Sequence, residues 1–219
     1  MRANNLNLQP FSSIHRPMRV CLARSLFILV ALALPAAAAG PVLVLIGPPS
    51  SGKTTQAEIL HRDLGMAVIS ADDLIARNQE RFQRFKNPAL TGVEPRLDPA
   101  LNALVEQALQ NTDLTRGVVL DGYPAAVSQG EYLAGLREKL MLPKALVIHL
   151  QIPDAEVLRR LKQQKAADID QQLKDYHREF DFAKTYFPEA DLQTVDGTKA
   201  PDVVALEIRK LLQARGFGK

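Results

Sequence analysis

The sequence predicts an α/β fold in which helices cover both faces of a mainly parallel, five-stranded sheet, giving three layers. Short apolar runs alternate with segments of helical periodicity between residues 42 and 215, an alternation typical of parallel βαβ units. A glycine-rich segment separates the first apolar run from the first helical one. The composition, 47% hydrophobic and 23% charged, excludes a disordered, collagen-like or coiled-coil chain.

Each predicted strand is a short apolar run without helical spacing. The first is a continuous run of valine, leucine and isoleucine, as expected of a strand buried on both faces. The five predicted strands are Val42–Ile46, Met66–Ser70, Val118–Leu120, Ala145–Ile152 and Leu192–Val195.

Helical periodicity, with proline or aspartate near several starts, predicts the connecting helices. Lys86–Arg96 contains Asn-Pro, Thr-Gly and Glu-Pro pairs and is predicted to be a loop. The predicted helices cover residues 54–64, 72–85, 98–110, 127–140, 153–164, 170–186 and 201–215. Right-handed crossovers would place them on the sheet faces.

The first 39 residues are organised like a secretory signal peptide. They contain four arginines and no acidic residue; the apolar run Leu26–Leu34 comes next, and small residues lead to Gly40. We expect cleavage after Ala39, or after Ala38, and export to the periplasm or the exterior, with Met18 as a second possible start. An uncleaved membrane anchor and a plain N-terminal extension are the alternatives.

The net charge of +3 arises in this N-terminal segment. Of the 27 basic residues, four precede residue 40, which leaves 23 against 24 acidic residues in the body. A nearly neutral body lacks the basic surface of a nucleic-acid-binding protein. We therefore expect no nucleic-acid partner. If the N-terminal segment is cleaved, we also expect no stable membrane insertion.

Residues 47–54 fit the phosphate-loop pattern G-x-x-x-x-G-K-[ST]. They follow a predicted strand and open a predicted helix, the context in which this motif binds nucleotide phosphates. Backbone N–H groups can converge there on an anion, at the positive end of the helix dipole. The predicted nucleotide-binding residues of the loop are Gly47, Pro48, Pro49, Ser50, Ser51, Gly52, Lys53, Thr54 and Thr55.

Asp121 ends the third apolar run and precedes a glycine. A carboxylate at the C-terminal edge of a strand beside a phosphate loop can hold a magnesium-bound water. We therefore predict Thr54 and Asp121 as metal ligands, with ATP and Mg²⁺ as cofactors. A simple turn aspartate is the alternative.

The phosphate loop and the string Asp121-Gly-Tyr-Pro together resemble the adenylate kinase and UMP/CMP kinase family of P-loop nucleoside monophosphate kinases. Segments 69–74, 147–160 and 195–199 also resemble family segments, in the same order. The resemblance covers nearly all of residues 41–215. It implies a P-loop NTPase fold with a small helical acceptor-side insert and a short lid.

The resemblance places the insert near residues 74–100 and the lid near 163–168, within a kinase-like domain of residues 40–219. It implies that Arg160 packs on the ATP adenine and that Lys199 belongs to the segment closing the adenine pocket. It places Asp73 and Gln129 on the acceptor side, with Gln129 reading the acceptor base. Arg77, one residue past an expected arginine, is the third predicted acceptor-side residue. The predicted catalytic residues are Lys53, Asp121 and Lys165.

Four positions at which the family carries arginine hold other residues here. Because phosphoryl transfer depends mainly on positioning and positive charge, each loss should weaken catalysis. The four are Ala76, Ala125, Gln164 and Gln172. Candidate substitutes, each of which could instead be a solvated charge, are Arg77, Arg96, Arg159, Lys162 and Lys165.

The leading prediction is ATP-dependent phosphoryl transfer to a nucleoside monophosphate, by a monomer whose partner is a small-molecule nucleotide. A degenerate nucleotide-binding module with weak catalysis, and a kinase of another small-molecule acceptor, are the alternatives. The retained Lys53, Thr54 and Asp121 favour an enzyme, whereas the missing arginines and the signal peptide favour the module.

Several histidines and aromatic residues are predicted to serve packing rather than chemistry. His149 lies in an apolar strand, which favours a buried histidine over a catalytic base. The aromatic residues of the penultimate helix and its end are expected to pack against the sheet: Tyr176, Phe180, Phe182, Tyr186 and Phe187.

Overall fold

A computed structural model describes residues 39–80, 82 and 98–217 of the chain, all within one compact unit, Ala37–Lys219. The predicted signal peptide, apart from Ala39, lies outside the described residues. So do the predicted loop at 86–96 and Arg96, one of the candidate substitutes for the missing arginines.

Five parallel strands form one sheet. They are β1 Val42–Ile46, β2 Ala67–Ser70, β3 Val118–Asp121, β4 Ala145–Gln151 and β5 Leu192–Asp196. Their order in the sheet is β2-β3-β1-β4-β5. Strand β1 lies between β3 and β4, with Val44 level with Leu120 on one side and Val147 on the other. All of β1 is buried, as expected of a central parallel strand.

Helices cover both faces of this sheet, which confirms the predicted three-layer arrangement. The helices are α1 Lys53–Leu64, α2 Ala71–Arg77, α3 Asp98–Gln110, α4 Val127–Lys139, α5 Asp154–Gln163, α6 Ile169–Tyr186 and α7 Pro201–Ala214. Val42 and Val44 pack with α3, α4 and α6 on one face, whereas Leu43 and Leu45 pack with α1 and α7 on the other. None of the helices in the described part of the chain is long and apolar enough to cross a membrane.

The prediction of one unbroken helix over residues 72–85 is wrong, because α2 ends at Arg77; residues 79, 80 and 82 are helical again after the break at Asn78. Asn78 has a non-helical backbone (φ −120°, ψ 31°), and its N–H donates to Ile75 O, three residues back, at 3.1 Å. Its side-chain amide also donates to Leu74 O at 2.8 Å. An asparagine that bonds the preceding turn in this way competes with helix propagation.

Helices α5 and α6 form a hairpin beside the phosphate loop. Val157 and Leu161 of α5 pack with Ile169 and Leu173 of α6 in a small apolar cluster. The joint between the helices is short, and Lys165 and Asp168 within it adopt left-handed backbone conformations, with φ of 51° and 50°.

The structure confirms that His149 is a buried core histidine. Its side chain is 3% exposed, its ring stacks on Phe180 with centroids 3.9 Å apart, and its Nε2 lies 2.8 Å from the hydroxyl of Tyr176. Burial lowers the pKa of His149 to about 4, and the charge of Lys184 adds to this effect. Burial raises the pKa of Tyr176 to about 12. The contact therefore joins a neutral imidazole to a neutral phenol.

Substitution of Gly117 should disturb the start of the sheet. Gly117 precedes β3 with φ of +94°, and a Cβ there would lie 2.5 Å from Pro41 O. We expect Gly117→Ala to lower the free energy of unfolding by about 2 kcal/mol or more, measured by urea denaturation. The control is Gly135→Ala in α4, where a Cβ meets open space and helix propensity should add about 0.5–1 kcal/mol. Equal stability of the two variants would contradict this account.

Burial of His149 should make the protein less stable in mild acid. The folded state keeps His149 neutral down to about pH 4, from a reference of 6.5. The unfolded chain therefore binds more protons between these values, so stability falls as the pH drops through that window, by at most about 3 kcal/mol. His149→Phe should flatten this slope, whereas the exposed control His177→Phe should retain it. Denaturation midpoints from pH 7 to pH 4 measure the slope, and parallel curves for wild type and His149→Phe would oppose this assignment.

Candidate active site

The phosphate loop lies at the carboxyl end of β1, in the centre of the sheet. Gly52 caps the N-terminus of α1 with a left-handed backbone (φ 98°, ψ 15°), a conformation that glycine adopts without steric cost. Within the loop, Ser51 N–H donates to Pro48 O at 3.1 Å. The loop therefore curls back over the start of α1, where the helix dipole favours an anion.

Lys53 is the first residue of α1, and its side chain returns over the loop. Its Nζ donates to Gly47 O at 2.8 Å and to Pro48 O at 3.2 Å. Burial lowers the pKa of Lys53, whereas the charges of Asp121, Glu179 and Asp72 oppose that shift. The ammonium group thus lies at the mouth of the loop, where it can bind an anionic ligand.

Thr54 and Asp121, the predicted metal ligands, are in direct contact. The Thr54 hydroxyl donates to Asp121 Oδ2 at 2.9 Å. Burial raises the pKa of Asp121, against the opposing effects of the Thr54 hydrogen bond and the charge of Lys53. These two hard oxygen donors at the loop suit Mg²⁺, which proteins usually hold through one or two such groups together with phosphate oxygens.

Two carboxylates whose charges act on Lys53 were not predicted from the sequence as site residues. Glu179 lies on α6, where burial raises its pKa and the charge of Lys53 opposes the rise. Asp72, in the first turn of α2, also acts on Lys53 and on Asp121. The signal for Glu179 was its place among the aromatic residues of the buried face of α6, where an unpaired solvated charge would not be expected.

The C-terminal end of α5 contacts the phosphate loop through two side chains. Arg160 Nη1 donates to Ser50 O at 2.9 Å, while Arg160 Nε donates to Glu156 Oε1 at 2.7 Å. One turn later, Gln164 Oε1 accepts a hydrogen bond from the Ser50 hydroxyl at 2.8 Å. The structure therefore brings the predicted Arg160 to the loop, together with one of the four positions that lack the expected arginine.

The segment after β5 also approaches the loop. A Cβ on Gly197 would lie 3.3 Å from Ser51 O, and the N–H of Gly197 donates to Gln151 O at 2.9 Å. Lys199, predicted to belong to the adenine pocket, lies in this segment and pairs with Glu207 at 2.7 Å. Its exposed ammonium group is therefore engaged on α7 rather than on the loop.

A cleft of 430 Å³ lies between α1, β2 and the start of α2. Its lining includes Thr54, Asp121, Asp72 and the predicted acceptor residue Asp73. Arg77, the other predicted acceptor residue of α2, is exposed and lies 3.9 Å from Asp73. Four of the nine described residues that line the cleft are acidic: Glu58, Asp72, Asp73 and Asp121.

The predicted base-reading residue Gln129 is buried in α4. Its Oε1 accepts a hydrogen bond from the N–H of Ala125 at 2.8 Å, and its backbone carbonyl accepts one from the Tyr123 hydroxyl at 3.2 Å. Ala125 is one of the positions at which the family carries arginine. Gln129 thus stabilises the turn between β3 and α4.

The other candidate cations do not converge on the phosphate loop through any described contact. Arg159 forms two hydrogen bonds with Glu156, each of 2.7 Å. Lys162 lines a separate cavity between α5 and α6, and Lys165 is exposed in the joint. Gln172, where the resemblance expects arginine, donates to Ala167 O at 2.7 Å and so holds the joint itself.

Comparison with known proteins agrees with this arrangement. The family model described as adenylate kinase matches residues 45–191. The chain is 34% identical over 184 residues to the adenylate kinase of Mycolicibacterium vanbaalenii, a match covering 78% of this chain and 98% of the relative. It is 35% identical over 188 residues to that of a Mycobacterium species (strain MCS), covering 80% of this chain and 98% of the relative.

Loss of the Thr54 hydroxyl should destabilise the protein. Thr54→Val leaves the buried Asp121 carboxylate without this donor, and we expect a loss of about 1–2 kcal/mol in the free energy of unfolding. Thr54→Ser should retain stability. The matched control is Thr55→Val, because the exposed Thr55 makes no side-chain hydrogen bond to a described residue; its effect should stay within about 0.5 kcal/mol. Urea denaturation without ligand makes the comparison, and similar losses at both positions would argue against the Thr54–Asp121 bond.

Proposed function

The chain belongs to the adenylate kinase family, and from this premise we propose that it transfers the terminal phosphoryl group of ATP to a nucleoside monophosphate. The contact between Thr54 and Asp121 beside Lys53 carries this proposal, because it unites the phosphate-binding lysine with a pair of metal-binding oxygens.

The phosphate loop would hold the β- and γ-phosphates of ATP. Lys53 rests on two carbonyl groups of its own loop, and phosphate oxygens offer it stronger, charge-assisted hydrogen bonds. Its ammonium group can then stabilise the negative charge on the phosphoryl group during transfer. This supports Lys53 as the main source of positive charge in the described part of the site.

Thr54 and Asp121 would hold Mg²⁺, which when bound neutralises charge on the phosphate oxygens. The hydroxyl and carboxylate already lie together, so they need little rearrangement to share one ion. Asp121 is buried, and its pKa is raised by that burial; a cation next to it would favour the ionised form.

The nucleoside part of ATP would lie between α5 and the segment after β5. Arg160 is held there by Glu156 and Ser50 O, and its planar guanidinium would stack on the adenine. The acceptor would lie on the other side of the loop, in the cleft that contains Asp73.

In the proposed reaction, a phosphate oxygen of the acceptor attacks the γ-phosphorus of ATP in line with the leaving oxygen. The new P–O bond forms as the bond between the γ-phosphorus and the β,γ-bridging oxygen breaks, giving ADP and a nucleoside diphosphate. The protein contributes positioning and positive charge.

A nucleotide-binding module with weak catalysis is the second candidate function. Its support is that Ala76, Ala125, Gln164 and Gln172 supply no guanidinium group at positions where the family carries one. A kinase with another small-molecule acceptor draws on the same observation, together with the acidic lining of the cleft.

A coupled assay for ADP, with the full chain, Mg·ATP and a panel of nucleoside monophosphates, tests the proposal. We expect acceptor-dependent ADP formation, reduced about 100-fold or more by Lys53→Ala. Lys144→Ala is the control, because Lys144 precedes β4 at the opposite edge of the sheet, and it should retain the wild-type rate. Binding of ATP without acceptor-dependent turnover would reject phosphoryl transfer to a nucleoside monophosphate. Adding phosphorylatable compounds that are not nucleotides to the panel would then separate a kinase with another acceptor from the binding module.

A further inference from the structure

Ser50 has an unusual backbone for a residue with a side chain. Its φ is 62°, in the left-handed region that disfavours non-glycine residues. A conformation of this kind persists when the surrounding structure holds it in place. Here the carbonyl and the hydroxyl of Ser50 are both bound from the C-terminal end of α5: Arg160 donates to the carbonyl and Gln164, the residue after α5, accepts from the hydroxyl.

Arg160 and Gln164 are four residues apart and so lie on one face of the helical turn. That face therefore contacts the phosphate loop through a charged guanidinium, from Arg160, and a neutral amide, from Gln164. The charged group is committed, because Arg160 also binds Glu156. The neutral group, the Gln164 amide, uses only its oxygen in a hydrogen bond to the loop.

The hydrogen bond from Ser50 occupies the oxygen of the Gln164 amide. The nitrogen of the same amide donates to no group among the residues the structure describes, and the side chain is exposed to solvent. Because Oε1 and Nε2 share one planar group, the contact at Oε1 also holds the two N–H donors of Nε2 close to the loop.

We infer that Gln164 donates a hydrogen bond from Nε2 to a phosphate oxygen of bound ATP, and that Ser50 orients it for this contact. The inference rests on the proposed function only in taking ATP as the ligand of the loop. Gln164 becomes a neutral phosphate-binding residue at a position where the resemblance expects arginine. A neutral amide gives a weaker bond to phosphate than a guanidinium group does.

Binding of Mg·ATP to the full chain, measured by titration calorimetry, tests the contact without requiring turnover. Gln164→Glu keeps an oxygen for the Ser50 hydroxyl but replaces the N–H donors with a second, charged oxygen. We expect its Kd for Mg·ATP to rise about 10- to 100-fold. Gln163→Glu is the matched control, since it adds the same charge one residue earlier, on a side chain with no hydrogen bond to a described residue; its Kd should change less than about threefold.

Gln164→Arg should lower the Kd, and in active protein raise kcat, by about tenfold. Unchanged melting temperatures without ligand would separate these effects from a loss of folding. If Gln164→Glu weakens ATP binding no more than Gln163→Glu, Gln164 does not contact the phosphates and the inference is rejected.

A double-mutant cycle tests the role of Ser50. If Ser50 orients Gln164, Ser50→Ala should weaken ATP binding by about three- to tenfold, and adding Gln164→Ala should weaken it little further. Independent, multiplying effects of the two substitutions would reject the orienting role. A protein that binds ATP with this pattern but shows no turnover would refute the proposed kinase and leave the Gln164 contact standing.

Discussion

The parallel sheet is the constraint on which the rest of the structure depends. Because all five strands point the same way, their carboxyl ends meet at one edge. The central position of β1 then brings the phosphate loop beside the end of β3, which carries Asp121, and beside β4, which leads to α5. The site is therefore assembled from segments far apart in the chain by strand order alone, in the manner of open α/β sheets.

The balance of charge around Lys53 follows from this assembly. One ammonium group faces Asp121, Glu179 and Asp72, and burial lowers its pKa while raising those of Asp121 and Glu179. Holding these charges together costs free energy, since the buried Lys53 and Asp121 lose solvation. The arrangement favours a ligand that supplies both anionic oxygens for the lysine and a cation for the carboxylates, and a metal-bound polyphosphate has this composition.

Local patterns predicted the sheet, the phosphate loop and the Thr54–Asp121 pair, because each depends on the chain close to it and on strand order. The break at Asn78 was missed because the helical period continues through it, and a single side-chain hydrogen bond decides the outcome. Glu179 and the Ser50–Gln164 contact were missed for another reason. They join residues 114 or more positions apart, and their pairing depends on how the α5–α6 hairpin packs, which periodicity does not encode.

The same hairpin explains how the site can keep its shape without the expected arginines. Gln172 holds the joint through Ala167 O, and Gln164 holds the loop through Ser50. Both amides thus serve local structure at positions where the family carries a charge. A joint fixed in this way before ligand binding loses less conformational entropy when the ligand arrives. Yet neutral amides supply no positive charge, so the proposed reaction should depend strongly on Lys53. Pre-organisation of the loop and weaker charge stabilisation are therefore two results of the same substitutions.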